Sequence, residues 1–187
     1  MNKWHQAFLD YFLVKKEPYQ DALTLRRIML LHPVHRQEVL AMYKEICQAV
    51  SGRVVVRFSH TLRTSEEQQA LFEQGRTTPG EIVTNAQAGQ SFHNYGKAFD
   101  IVLLFDKDNN GTFETASWST TVDFDGDGKE DWMEVVEICE KYKWQWGLIN
   151  RQGKRYDKPH FQKTFGYTIA QLQKMPKDKE GYVILEK

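Results

Sequence analysis

The residues best suited to chemistry fall in two short stretches, Ser91-Phe92-His93-Asn94-Tyr95-Gly96-Lys97-Ala98-Phe99-Asp100 and Asp157-Lys158-Pro159-His160. His93, Asp100 and His160 offer two imidazoles and one carboxylate. That donor set binds Zn²⁺ well and leaves the fourth tetrahedral position open for water. Asp157, three residues before His160, is a carboxylate close to such a metal but not needed to bind it, which is what a general base for that water requires.

Both stretches must be brought together by the elements that carry them. Asp100 is followed by the apolar run Ile101–Phe105, which has the length of a strand. Asp100 is therefore expected at the mouth of a buried strand, with His93 in the turn leading into it. Gly96 supplies a flexible backbone between these two ligands. Pro159 disfavours helix on both its sides, so His160 is expected to open an extended segment running to Phe165. Two strand mouths lying side by side would converge the ligands.

Ser-x-His-x-x-Gly-x-Ala-x-Asp followed by Asp-x-x-His resembles the zinc peptidases of the bacterial cell wall. These include D-alanyl-D-alanine carboxypeptidases and dipeptidases and the L-alanyl-D-glutamate endopeptidases of phage endolysins, which share a fold with the hedgehog signalling domain. The resemblance covers about Leu25 to Phe165. It implies that His93, Asp100 and His160 bind zinc and that Asp157 is the base. Dipeptidases of this kind tend to carry Glu at the base position, so Asp157 tilts the reading toward the endopeptidases. The run Arg63-Thr64-Ser65-Glu66-Glu67-Gln68 also fits the family, and the resemblance implies that Arg63 stabilises the oxyanion. Ser91 would hydrogen-bond substrate, and a turn-capping hydroxyl is its alternative role.

The chain has 187 residues with 25 basic and 25 acidic side chains. It is long enough for one domain with a real core, and its overall charge gives no argument for nucleic acid. No run approaches transmembrane length. The start does not read as a secretion signal, because Asp10 interrupts the apolar stretch, so a protein of bacterial or phage origin made in the cytoplasm and acting on the wall after release is expected. Cys47 and Cys139 fall in helix-like stretches and are expected as buried free thiols.

Trp4, Phe8 and Phe12 predict an amphipathic helix over 3–16, within an N-terminal extension of residues 1–22. Further helices are predicted over 23–31, 34–50, from Thr64 or Ser65 to about Gln74, 132–143 and 168–175, and a strand over 53–59. Residues 76–90 read as an irregular loop, either a wall for substrate or a connector. Trp144 and Trp146 would floor the cleft or pack in the core. His5, His32, His35 and His60 are taken as structural or surface residues, and the tail from Pro176 as loosely held.

Charge is concentrated at 106–134, where Asp106, Asp108, Glu114, Asp123, Asp125, Asp127, Glu130, Asp131 and Glu134 face only Lys107 and Lys129. The rest of the chain is mildly basic, which would suit an anionic wall polymer or simply offset a bound cation. Asp123, Asp125, Asp127, the Lys129 carbonyl and Glu134 fit the calcium loop Asp-x-Asp-x-Asp-Gly-x5-Glu, so this segment is expected to be a calcium-binding insertion. Asp106, Asp108 and Asn110 repeat its first half, a second and incomplete site, since Ser117 stands where the closing acid should be. The Ca²⁺ would be structural or regulatory.

The expected fold is α+β, a small antiparallel sheet carrying the zinc site with helices packed on one face, in a single peptidase domain over 1–187. The expected activity is zinc-dependent hydrolysis of an amide bond in peptidoglycan stem peptides by a monomer. A zinc- and calcium-stabilised binding module without catalysis is the rival, since fold alone does not give function.

Overall fold

The computed structural model describes residues 21–185. The stripe over 3–16 and His5 lie outside the described residues. The elements in order are α1 (Ala22–Ile28), α2 (Pro33–Ala49), β1 (Val54–His60), α3 (Ser65–Glu73), a 3-10 turn (Phe92–Tyr95), β2 (Ala98–Phe105), β3 (Thr115–Ser117), α4 (Asp131–Lys141), β4 (Gln145–Ile149), β5 (Arg155–Gln162) and α5 (Ile169–Leu172). Every strand pairing is antiparallel. The sheet runs β1-β2-β5-β4, and β3 pairs with the far end of β2.

Alternation along the strands sorts the two faces. Val54, Val56 and Phe58, then Phe99, Ile101 and Leu103, and finally Phe161 all enter one hydrophobic core. The rings of Phe58, Phe99 and Phe161 stack across three strands, with centroids 4.3 and 5.3 Å apart. Over this face lie Leu25 and Ile28 of α1, Val39, Met42, Tyr43 and Ile46 of α2, and Trp132, Val135 and Cys139 of α4. Both cysteines are free, Cys139 fully buried and Cys47 partly so. Trp144 belongs to this core rather than to a cleft.

β1 is an edge strand, and its outer backbone is covered rather than left open to pairing. The Phe58 amide donates to the Thr24 hydroxyl at 3.0 Å. The Arg27 guanidinium donates to the Phe58 carbonyl, and the Tyr43 hydroxyl to that of Val56. Asp21 caps α1 by accepting from the Thr24 amide, and its carboxylate is gripped by Arg57 at 2.9 and 3.0 Å. Burial would raise the Asp21 carboxyl, but the bonds from Arg57 and Thr24 outweigh it and hold the group below its ordinary value.

Two expectations about the strands need correction. β2 starts at Ala98, so Asp100 is its third residue and not its mouth; β5 starts at Arg155, so His160 lies well inside it. The chain tolerates Pro159 within β5 because pairing with β4 lapses between Tyr156 and Phe161, and pairing with β2 begins only at His160. The tail is also not loose. Tyr182 and Val183 are buried, the Val183 carbonyl meets His32 Nε2 at 2.8 Å, and Tyr182 donates to the Leu30 carbonyl. The terminal helix is shorter than predicted, ending at Leu172.

Gly96 shows why the turn before β2 has its sequence. It is left-handed at φ 62°, and a Cβ there would sit 2.5 Å from the His32 amide nitrogen. That amide donates to the Gly96 carbonyl at 2.9 Å, so the approach cannot be relaxed without losing the bond. Gly96→Ala is expected to cost more than the ~1–2 kcal/mol of a left-handed alanine, read as a lower urea midpoint. A second expectation concerns pH. Because the folded carboxyl of Asp21 titrates below its unfolded value, its contribution is full above pH ~4 and lost as pH falls through the folded value. The stability gap between wild type and Asp21→Asn should therefore be about 0.5–1 kcal/mol at neutral pH and close in acid, Arg57 being partly exposed. Equal gaps at pH 7 and in acid would contradict it.

Candidate active site

The polar face of the sheet carries the chemistry. Asp100 of β2 pairs directly with His160 of β5, so both side chains rise from the same face. His93 comes from the 3-10 turn, and the Arg63 amide fixes that turn by donating to the His93 carbonyl at 3.1 Å. His93 Nε2 lies 3.2 Å from Asp100 Oδ1 and 3.2 Å from His160 Nδ1, and His160 Nδ1 lies 3.1 Å from Asp100 Oδ1. A tetrahedral ion with arms of ~2.0–2.1 Å has ligand–ligand edges of about 3.3–3.4 Å. The three atoms thus form one face of such a tetrahedron, and His93, Asp100 and His160 together form a group able to hold a metal ion.

The outer nitrogens set which atoms face inward. His93 Nδ1 sits 2.7 Å from the Thr61 carbonyl, which can only accept, so Nδ1 carries the hydrogen and Nε2 turns a lone pair to the centre. His160 Nε2 sits 3.1 Å from Gln162 Oε1 and donates to it, which leaves Nδ1 facing inward. Both imidazoles are nearly buried. Without a metal, a proton held inward by His160 or His93 would keep the Asp100 carboxyl well below the usual range despite its burial, and a metal takes the place of that proton. Three converging acceptors with no donor between them suit a cation, so the residues present fit a metal.

Asp100 turns its other oxygen the opposite way. Its Oδ2 is 3.9 Å from Arg63 Nη2 and 4.0 Å from His60 Nδ1. Arg63 is aimed by Gln68, a fully buried side chain whose Oε1 accepts from Nη1 at 2.9 Å and whose amide donates to the Ala86 carbonyl. The spacing from Arg63 to Gln68 therefore has a physical meaning: Thr64 and Glu67 form the capping box that starts α3, and the first turn then presents Gln68 back to Arg63.

His60 is not the bystander the sequence suggests. A bulge in β1 between Phe58 and His60 turns its side chain onto the polar face, and it pairs with Asp100 across the sheet. Only the register reveals this, and no pattern within residues 53–60 encodes it.

Asp157 lines the same cleft of about 460 Å³ as His60, Arg63, Ser91, His93 and His160. It holds a left-handed φ of 57°, rare for a residue other than glycine, at the lapse in β4–β5 pairing. Trp146 braces this segment by donating its indole N–H to the Lys158 carbonyl at 2.7 Å. Partial desolvation raises the Asp157 carboxyl; His160 opposes this and Asp100 adds to it. Ser91 accepts from the His93 amide at 3.3 Å, so it caps the 3-10 turn, and it also lines the cleft. Thr84 and Val83 form part of the cleft wall, which makes the loop over 76–90 a wall as well as a connector.

Comparison with known proteins gives the family. The peptidase M15 family described as D-alanyl-D-alanine carboxypeptidase matches residues 84–163, the span from the cleft wall to the end of β5. The peptidoglycan L-alanyl-D-glutamate endopeptidase CwlK of Bacillus subtilis (strain 168) is 36% identical over 132 residues, covering 71% of this chain and 72% of that protein. The chain belongs to the M15 peptidase family. Among solved structures, the L-Ala D-Glu endopeptidase ChiX of Serratia marcescens aligns with a TM-score of 0.48 and 18% identity, over 81% of this chain and 93% of that one.

Imidazoles that hold a metal depend on the groups behind them. Gln162→Leu removes the acceptor for His160 Nε2–H and frees the ring to turn. Zinc affinity is expected to fall about 10–100-fold, measured by competition with a chelating dye, while the circular dichroism spectrum is retained. Unchanged affinity would show that Gln162 does not orient the ring.

Proposed function

We propose that this chain is a zinc-dependent peptidoglycan hydrolase that cuts the L-Ala–D-Glu bond of stem peptides. The observation that carries the reading is the inward-facing triangle of His93 Nε2, Asp100 Oδ1 and His160 Nδ1, open on the side where the cleft holds Asp157 and Arg63. His93, Asp100 and His160 would hold Zn²⁺, the choice favoured by two imidazoles and one carboxylate. When bound, the ion supplies Lewis acidity that makes water a nucleophile at neutral pH and polarises the scissile carbonyl.

The chain's own residues do the rest. Asp157 accepts the proton of the attacking water and returns it to the leaving amine, a task suited to a carboxylate whose affinity for protons has been raised. Arg63, fixed by Gln68, offers its guanidinium to the oxygen that gains charge. Ser91 can donate its hydroxyl hydrogen to substrate. A second groove of about 480 Å³ shares His60 and Arg63 with the cleft, which gives a branched, extended wall fragment room on either side of the cut. The acidic oxygens of Asp123, Asp125, Asp127 and Glu134 belong with a harder cation, Ca²⁺, and take no part in this chemistry.

The family description favours a second reading, removal of a terminal D-Ala. CwlK, with its endopeptidase name and 36% identity, supports the first. A binding module is disfavoured by a carboxylate held strained beside the open side of the metal site. Substrate in the wall implies action outside the cytoplasm. Among the described residues no helix is long and apolar enough to cross a membrane.

Mass spectrometry of peptidoglycan fragments, after incubation with zinc-loaded protein and with His160→Ala as control, decides between these readings. New termini at L-Ala–D-Glu are expected; loss of D-Ala alone would select the carboxypeptidase, and no zinc-dependent product the binding module. Asp157→Ala should abolish turnover with zinc still bound. Arg63→Gln should lower kcat about 10²–10³-fold.

A further inference from the structure

We propose that residues 123–134 form a Ca²⁺ site whose inner wall is Asp131, at the ninth position of the loop, and that the bound cation fastens α4 to the sheet. Oxygens of Asp123, Asp125 and Asp127 lie within 4.8 Å of one another, and so do those of Asp125, Asp131 and Glu134. That is the distance between two oxygens on opposite sides of a Ca²⁺ with arms of ~2.4 Å. Asp125 belongs to both groups, so one carboxylate links the loop to the first turn of α4.

Acidic loops are common without an ion, and what distinguishes this one is buried charge without a partner. Asp131 is fully buried, and its Oδ1 has no hydrogen-bond partner; Glu134 is nearly buried, and its Oε2 likewise has none. Carboxylate oxygens left dry and unpaired are costly and call for a cation. The other Asp131 oxygen accepts from the Phe124 amide at 2.8 Å, which aims the free one. A positive charge already stands at the rim: Lys129 Nζ is 3.3 Å from Glu134 Oε1 and 3.9 Å from Asp127 Oδ2, on a side chain exposed enough to swing away. Its carbonyl would join the ligands.

The sister segment makes the contrast. Asp106 and Asp123 are alike, each accepting from two loop amides, those of Asn110 and Gly111 in one case and of Gly126 and Gly128 in the other, so the difference lies at the buried end. No atom of Asp106, Asp108 or Asn110 is buried without a partner, so no ion is required there.

The site also joins three parts of the fold. Asp125 Oδ2 accepts from the Ser51 amide, between α2 and β1. Phe124 packs on Phe105 at the end of β2, with centroids 4.3 Å apart. Asp131 and Glu134 sit in the first turn of α4, whose Trp132 and Val135 are core. A cation drawing these carboxylates together would hold the helix against the sheet, so its effect should be read in stability.

The test uses the whole chain, freed of metal on chelating resin and given back one equivalent of Zn²⁺, then titrated with Ca²⁺ by calorimetry and thermal melting. The expected result is one site, and a Tm about 5–10 °C higher at 100 times Kd. Asp131→Asn should bind at least 10-fold more weakly while its cation-free Tm equals or exceeds that of wild type, since one buried charge is gone. Asp123→Asn should weaken binding without touching the core. Retained Ca²⁺ binding in His160→Ala would show that the site does not depend on the zinc reading. No saturable heat or Tm change by about 10 mM Ca²⁺, tenfold above the weakest extracellular sites, would overturn the proposal. So would Asp131→Asn binding as tightly as wild type.

Discussion

The pairing of β2 with β5 over Ala98–Asp100 is the constraint on which the rest of the molecule depends. It sets Asp100 opposite His160 at the separation of cross-strand neighbours, about 4.5–5.5 Å between Cβ atoms. Strand parity makes this placement all-or-none: a slip of β5 by one residue would send His160 toward the core and bring Phe161 to the polar face, while Asp100 stays held by the pairing of β2 with β1. The stacked rings of Phe58, Phe99 and Phe161 prevent that slip from the other face. Packing on one side of the sheet and ligand geometry on the other are therefore a single fact.

A register fixes Cα positions, whereas metal binding also needs oriented rings. The orientation comes from groups that stand behind the rings and the guanidinium: the Thr61 carbonyl behind His93, Gln162 behind His160, and Gln68 behind Arg63. Each is a buried acceptor satisfied by the residue it positions, which is why its burial is tolerated. The inner triangle is the reverse case. Its three acceptors face one another without a donor, and a metal that fills the gap relieves that repulsion. Metal binding and folding are then linked, as in other sites built from a few converging side chains.

This explains what was legible in the sequence. His93, Asp100, Asp157 and His160 stand in two short runs with telling spacings, and the helix that starts at Thr64 declares itself by its capping box. Thr61 acts through its backbone, so no side-chain type marks it. Gln162 lies two residues beyond His160 on the same strand, a spacing whose meaning depends on the ring's orientation, while His60 matters because of the strand that pairs with its own and also needs a bulge. Tyr182 and Val183 are two apolar residues in a charged tail, and their docking depends on a surface made by α1 and α2. Asp131 was visible as one acid among nine, but its burial follows from the packing of Trp132 beside it.

The two acidic clusters lie at opposite ends of β2, and the contrast between them follows from what each must do. At Asp100 the outer carboxylate oxygen faces the Arg63 guanidinium, while the inner one joins the triangle that opens on the cleft. At Asp125, Asp131 and Glu134 the cationic side chain found among the described residues is that of Lys129, at the exposed rim, and the inner oxygens are buried. An open cleft removes packing from one face of the sheet, since Asp100, His160 and Gln162 occupy ground that apolar side chains would otherwise fill. The opposite face must then hold the fold largely through α1, α2 and α4. A cation at the site proposed in the first turn of α4 would strengthen that face near the sheet's far end, beside the short β3 and the Phe105–Phe124 contact. The site can remain open because stability is supplied from the far side of the sheet, through residues that never touch substrate.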